Sequence, residues 1–383
     1  MKNKKIIISV ICVAVVLALT LGGFFAVSIM KNKLRSTFTP SAPTSGKGTG
    51  YYRHCYEELN DNEKLMYAVI LQSVYSMPEK IEVPVLSDGD FSKVFEALSY
   101  DNPDLFCLGL TSTLKEEGKK VYFVPEYSMT YDEYSAKLSE VNAIASAIST
   151  NAMQYTSEYE RELYIHDYIV NHCTYQLNAQ NGNDIYGCLV SGKASCEGYS
   201  RAFQYILSAV GIDNRLVTGE AEDGKGGYIG HMWNYAVIGG DGYFTDVTWD
   251  DPSSDTNVLR HTYFNNTTAQ ILVNHRDIKQ TLPFCNATKF NFFTYENALL
   301  ASGDEAELKD ALQRVINNSK NRGYTSAEMK FDSAESMEWA LDAMFKKSVI
   351  FDVYTELGLA ESMDGGSVYY SSDDKTFTVC LYY

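Results

Sequence analysis

No Asp or Glu occurs among the first 50 residues, and beyond them positive charge is scarce. The 383-residue chain carries a formal net charge of −17 at pH 7. Seven of its 32 Lys and Arg lie in the first 50 positions, so the rest sets 25 basic residues against 49 acidic ones. A body this short of basic side chains does not neutralise phosphates, which excludes nucleic acid as a partner. It reads instead as a soluble, self-repelling surface. Trp is also scarce, at three residues, whereas Tyr numbers 29; neither count points to a function. The eight cysteines are Cys12, Cys55, Cys107, Cys173, Cys188, Cys196, Cys285 and Cys380. None forms a CxxC pair, and no nearby His completes a zinc-ligand spacing, so no zinc site is expected. They scatter through apolar stretches as core cysteines do, and pairing among them is open if the body lies outside the cell.

What is present begins at the N-terminus. Residues 1–5 are basic, and Ile6 to Met30 contains no charged residue. That apolar run is about long enough to span a bilayer core. A cleaved signal peptide and an uncleaved signal-anchor are the alternatives. Ala26-Val27-Ser28 weakly resembles a cleavage site, but the run is long for a signal sequence, which favours the anchor over residues 6–30. Basic residues flank both sides, so orientation rests on the expectation that a body following a single N-terminal anchor lies outside the cell. Residues 31–50, rich in Ser, Thr, Pro and Gly, read as a flexible tether.

The following segment, residues 51–155, reads as mostly helical. Helices are expected over Tyr51–Met77 with a break at Leu59-Asn60-Asp61, over Phe91–Tyr100, and over Tyr131–Ile148, with a strand at Lys120–Val124. Ser157 and Glu160 make a capping-box pattern that opens the next helix and a core over residues 156–290. His54, His166 and His172 read as surface or satisfied core histidines. Downstream, His261–Phe264 reads as a strand closing the central sheet, and His261 and His275, having no partner visible in the sequence, read as structural. Residues 300–383 read as a small α+β appendage: helices over Glu305–Asn318 and Ser333–Lys346, a strand at Met329–Phe331, and a hairpin over Ser372-Asp373-Asp374.

The chemistry concentrates in the middle of the chain. Gly192-Lys193-Ala194-Ser195-Cys196-Glu197-Gly198-Tyr199 is a polar loop that delivers a cysteine to a helix start. Cys196, Tyr199, Phe203, Ile206 and Val210 recur at helical spacing, and Gly211 stands where a C-terminal cap belongs. At a helix N-terminus, free backbone N–H groups and the helix dipole favour a thiolate. His231 to Ile238 alternates as a strand, with His231, Trp233 and Tyr235 on one face. A two-residue turn at Gly239-Gly240 pairs Ile238 with Asp241. Counting outward sets Asp246 opposite Trp233 and diagonal to His231, with Cβ atoms roughly 7 to 8 Å apart. A carboxylate there reaches the imidazole. A nucleophilic thiolate needs a base, and the base needs a group that fixes its tautomer. Cys196, His231 and Asp246 supply those roles, and the Cys196 N–H is a candidate oxyanion donor.

These segments, together with Gly230-His231-Met232-Trp233-Asn234-Tyr235 and Asp246-Val247-Thr248-Trp249-Asp250-Asp251-Pro252, resemble the transglutaminase-like superfamily and, within it, the bacterial membrane-anchored branch. The resemblance covers Ser157 to Pro252 and extends back towards Tyr51 through Leu59–Lys64. It implies an α+β, papain-like core: a nucleophile helix packed on an antiparallel sheet that carries the His and the Asp. It also implies Cys196 as nucleophile, His231 as general base then acid, and Asp246 as orienting carboxylate. Cross-linking animal members have Trp after the nucleophile, where this chain has Glu197, which weakens a specific expectation of cross-linking. Those enzymes use a side-chain oxyanion donor upstream of the cysteine; by position Tyr175 is the counterpart, with a core-packing aromatic as the plain alternative.

The expected function is that of a membrane-tethered thiol enzyme acting on amide carbonyls through a thioester, with a protein or peptide substrate (a Gln side chain or a peptide bond). An amine acceptor gives transglutamination; water gives deamidation or proteolysis. No metal or organic cofactor is needed for these steps. A non-catalytic, surface-displayed binding or scaffolding module with a relic triad is the alternative. Oligomeric state is not legible.

Overall fold

The computed structural model describes residues 38–86, 89–251, 258–363 and 366–383. The expected anchor at 6–30, Cys12 and Pro252, the last residue of the Asp246–Pro252 segment, lie outside the described residues. Among the described residues no helix is long and apolar enough to cross a membrane. The end of the Ser/Thr/Pro/Gly-rich segment is tied to the body: Gly46 N–H donates to the Tyr51 carbonyl at 2.7 Å, and Arg53 N–H donates to Ser45 Oγ at 2.9 Å.

The first unit comprises α1 (His54–Glu57), α2 (Asp61–Val74), β1 (Ile81–Val83), α3 (Phe91–Asp101), β2 (Leu108–Glu117) and β3 (Lys120–Tyr127). The break at Leu59–Asp61 is a helix start: Asn60 Oδ1 accepts from the Asn62 and Glu63 N–H groups, and Glu63 caps back onto Asn60 N–H. The segment is less helical than its sequence suggests. The strands form an antiparallel sheet in the order β1-β3-β2. β2 was hidden because most of it is solvent-exposed and ends in Lys115-Glu116-Glu117, with no apolar alternation. This unit has its own core around Met66, Tyr67, Ile70, Val94, Leu98 and Phe123.

The central unit follows: α4 (Tyr131–Ala152), α5 (Glu158–His172), β4 (Thr174–Tyr175), α6 (Ile185–Leu189), β5 (Lys193–Ala194), α7 (Cys196–Ala209), β6 (Asn214–Glu222), β7 (Tyr228–Ile238), β8 (Asp241–Thr245), α8 (Thr268–Ile271) and β9 (His275–Arg276). Its sheet is antiparallel in the order β8-β7-β6-β9. Ile238 pairs with Asp241, as the two-residue turn requires. Gly239 and Gly240 both take positive φ there, the condition such a turn imposes. Ala236, Ile238 and Tyr243 join the apolar core with Tyr199, Phe203 and Ile206 of α7. Val217, Trp233, Tyr235 and Phe244 form a second cluster with Tyr263, Ile271 and Cys285.

Contrary to the sequence reading, His261–Phe264 is a turn and not the closing strand. Its backbone groups go elsewhere: Tyr263 N–H donates to Asp250 Oδ1 at 2.9 Å, and the Tyr263 carbonyl accepts from Asp246 N–H at 3.0 Å. The ladder beyond it is reduced to a single bridge between Phe244 and Asn266. β9 takes the edge instead, pairing His275 with Ala221.

The last unit contains α9 (Phe292–Tyr295), β10 (Leu299–Leu300), α10 (Glu305–Asn321), β11 (Ser326–Phe331), α11 (Ala334–Phe345), α12 (Val349–Glu356), β12 (Tyr370–Asp373) and β13 (Thr378–Tyr382). Its sheet runs β10-β11-β13-β12, with β10 parallel to β11 and the rest antiparallel. Its apolar interior is continuous with that of α4–α7, from Val141 to Leu381.

α7 is positioned by close approach. Gly198 faces the loop before α6: a Cβ there would lie 2.4 Å from the Gly182 carbonyl oxygen and 2.8 Å from the Ala194 Cβ. Gly198→Ala is therefore expected to lower stability by about 1–3 kcal/mol, the usual cost of overpacking. Urea denaturation of the variant against wild type checks this.

Candidate active site

Cys196 is the first residue of α7. The side chain of the N-cap, Ser195, does not cap the helix; its hydroxyl donates to Asn183 Oδ1 at 2.7 Å. The sulfur therefore sits beside N–H groups without an intrahelical partner and at the positive end of the helix dipole. Cys196 is half-buried; of the six other described cysteines five are buried, and the sixth, Cys55, is half-buried with its thiol pushed well up by burial. Glu197, the residue after Cys196, has a structural task. Its Oε1 accepts two bonds from Arg201, at 3.0 and 2.9 Å, and Arg201 donates to the Ser99 carbonyl at 2.6 Å.

The helix is registered against β7 beside the histidine. Ser200 Oγ donates to the Met232 carbonyl at 2.9 Å, and Asn234 Nδ2 donates to the Ser200 carbonyl at 3.0 Å. His231 Nε2 then meets Asp246 Oδ2 at 2.7 Å. With Nε2 engaged by the carboxylate, Nδ1 is the nitrogen left for Cys196. Burial pulls the His231 pKa down, but the charges of Asp246 and Cys196 and hydrogen bonds to both outweigh it and push it up to about 10. Asp246 is fully buried. Burial raises its pKa, yet His231 and then His275 hold the carboxyl well below the usual carboxylate range. Its Oδ1 accepts from the Thr248 and Trp249 N–H groups at 3.0 and 3.2 Å.

Cys196, His231 and Asp246 are thus brought together. Tyr175 is half-buried in β4, paired in parallel with Ala194, two residues before Cys196; it also packs on the central core. The sequence reading missed His275. It is no isolated structural histidine: its Nε2 lies 3.0 Å from Asp246 Oδ2. β9 pairs with β6, and no local spacing announced a two-residue strand, so no sequence signal linked His275 to Asp246. Trp249, unassigned before, rests on His231 and His275 with ring centroids 5.9 and 4.7 Å away.

His166 and His261 also have partners. They converge on Asp167 Oδ1, each at 3.0 Å, while their other nitrogens meet Asp250 and Glu328 at 3.1 and 2.8 Å. The His261 pKa is lowered by burial but carried up to about 10 by Asp167 and Glu328. This buried charge cluster joins α5, the loop after β8 and β11. His166, Asp167 and His261, like His231, Asp246 and His275, bring potential metal-ligand atoms within 4.8 Å of one another. In both trios the close nitrogen–oxygen contacts have hydrogen-bond lengths.

Residues 143–247 match the family model for the transglutaminase-like superfamily. No curated protein matches the chain. Among solved structures, it is similar to a TGase, with 17% identity over 45% of this chain and 52% of that one and a TM-score of 0.27. It is similar to a provisionally assigned cysteine protease from Cytophaga hutchinsonii, with 12% identity over 36% and 61% and a TM-score of 0.25. It is also similar to the periplasmic domain of TgpA from Pseudomonas aeruginosa, with 18% identity over 34% and 55% and a TM-score of 0.24. The chain therefore spans between half and two thirds of each of these structures.

The His231–Asp246 pair sets a pH signature. The His231 pKa is raised from 6.5 to about 10, so its contribution to stability is complete below pH 6.5 and is lost as pH rises through about 10. The Asp246 pKa is depressed, so its contribution is complete above the ordinary carboxylate range and is lost as pH falls through the folded value. The stability difference between wild type and Asp246→Asn is expected to be largest at about pH 5–6, where both contributions are complete, and to shrink towards pH 10. Chemical denaturation at a series of pH values measures it.

Proposed function

Taking residues 143–247 as a domain of the transglutaminase-like superfamily, we propose that the protein is a thiol enzyme acting on amide carbonyls of peptides or proteins. The observation that carries this reading is the 2.7 Å bond from His231 Nε2 to a fully buried Asp246, which leaves Nδ1 for a cysteine at a helix start. The Cys196 thiolate attacks the carbonyl carbon, and the carbon–oxygen π electrons move onto oxygen. The resulting oxyanion is met by the Cys196 N–H and, in this proposal, by the Tyr175 hydroxyl. As the tetrahedral centre collapses, the imidazolium of His231 gives its Nδ1 proton to the departing nitrogen, and ammonia or an amine leaves. A thioester remains. Water or a second amine then attacks it, His231 takes the incoming proton, and the thiolate departs. Asp246 keeps the ring in the tautomer that presents Nδ1 to the sulfur throughout. The proposal includes residues 6–30 as a signal-anchor, with this body held outside the cell. Digestion of the body by protease added to intact cells tests that location; full protection overturns it.

The reaction is tested with a glutamine peptide, with and without a primary amine, analysed by mass spectrometry. Deamidation, an amine adduct and chain cleavage give distinct masses. Cys196→Ala is expected to abolish every product. His231→Ala should lower the rate by about 10²- to 10⁴-fold. Tyr175→Phe should lower kcat by about 10²- to 10³-fold, as loss of an oxyanion donor does. Products that persist in Cys196→Ala overturn the reading.

A further inference from the structure

We propose that His275 is a positioning residue for the Cys196–His231 pair, acting through the oxygen of Asp246 that the two histidines share. The inference rests on the thiol-enzyme reading above and deepens it.

An ionised carboxylate offers about four lone-pair sites. In Asp246 all four are taken: two backbone N–H groups on Oδ1, and the Nε2 atoms of His231 and His275 on Oδ2, at 2.7 and 3.0 Å. Turning the carboxylate about its Cβ–Cγ bond breaks several of these bonds at once. His231 alone does not fix it, because that ring, 9% exposed, must also exchange protons with the sulfur. His275 is the rigid end. It is 1% exposed, and its ring lies among Trp249, Trp233 and Tyr263, with centroids at 4.7, 4.9 and 5.8 Å. Its Nδ1 meets Asn274 Oδ1 at 2.8 Å, and Asn274 is held in turn by the Tyr263 hydroxyl.

The sheet is built to allow the sharing. His231 and His275 come from β7 and β9, the strands on either side of β6. Opposite His231 in β6 stands Gly219. A Cβ there would lie 2.6 Å from the Arg276 carbonyl oxygen and 2.7 Å from Cη2 of Trp233. The bare position lets β9 and the Trp233 ring close in, so that one carboxylate reaches both imidazoles. The titratable groups around His231 are then Cys196 from α7, Asp246 from the loop after β8, and His275 from β9.

The test reads Cys196 itself and so does not depend on finding a substrate. Alkylation by iodoacetamide is followed residue by residue by mass spectrometry across a pH series, in wild type, His275→Phe and His275→Gln. Phe keeps an aromatic ring in the cage and removes the donor; Gln keeps an N–H donor. His275→Phe is expected to slow Cys196 alkylation at neutral pH by about 10- to 100-fold, the range for loss of an outer partner of a functional histidine. It should also move the acid limb of the profile to higher pH, because a misdirected imidazolium supports the thiolate less. His275→Gln should stay within about threefold of wild type, since its amide supplies a donor to the same oxygen. Wild-type alkylation kinetics in His275→Phe overturn the proposal and leave the Cys–His reading intact. Equal slowing in Phe and Gln variants, with equal falls in melting temperature, assigns His275 to packing and overturns it too. A wild-type Cys196 no more reactive than the half-buried Cys55 overturns the thiol-enzyme reading itself.

Discussion

A buried negative charge dictates the architecture around the site. Asp246 has no solvent contact, and an unpartnered carboxylate in that position is not sustainable; removing one side of a buried ion pair typically costs about 3–5 kcal/mol. The chain supplies its partners from separate places: its own following turn, β7 and β9. Satisfying the carboxylate therefore requires the sheet to be assembled in register and its far edge to be closed. The same bonds that make the charge tolerable aim His231 at the helix start. Stability and the aim of His231 thus draw on one set of contacts.

The helix that begins at Cys196 is held as firmly as the histidine. Its first turns are fixed to β7 through Ser200 and Asn234, and its outer side is gripped by the end of α3, where Arg201 and Gln204 donate to the Ser99 and Tyr100 carbonyls. On the opposite flank, the His166–Asp167–His261 cluster with Asp250 and Glu328 ties the segment following Asp246 to the last unit's sheet. Tyr324 adds a bond to Asp167 Oδ2 at 2.6 Å. These are charged, directional contacts in a dry setting, where geometry is held more tightly than by apolar packing alone.

Much of the site was legible because it depends on short-range rules. Strand alternation and a two-glycine turn fixed the parity that sets Asp246 near His231, and the spacing of Tyr199, Phe203 and Ile206 fixed the helix that begins at Cys196. What escaped was non-local or masked. His275 reaches Asp246 only because a two-residue strand pairs with β6, a contact 54 residues from its partner Ala221 in sequence. β2 carries charge where alternation was sought. His261–Phe264 has the composition of a strand, but Asp250 and Asp246 claim the Tyr263 backbone groups that a ladder needs. The partners of His166 and His261 lie as far as 94 residues away and belong to three different segments.

One feature of the interior bears on how this protein can be handled. Because the apolar core runs unbroken from Val141 to Leu381, no cut between the sequence match and the C-terminus leaves two clean surfaces. A fragment trimmed to residues 143–247 would expose the undersides of α5 and α7 to water and strip Asp167 of Tyr324 and His261. The smallest preparation that keeps Cys196 in its native setting therefore retains both flanking units, and inserted tags or reporters belong on outer turns such as Gly118, where an added side chain would meet no neighbouring atom.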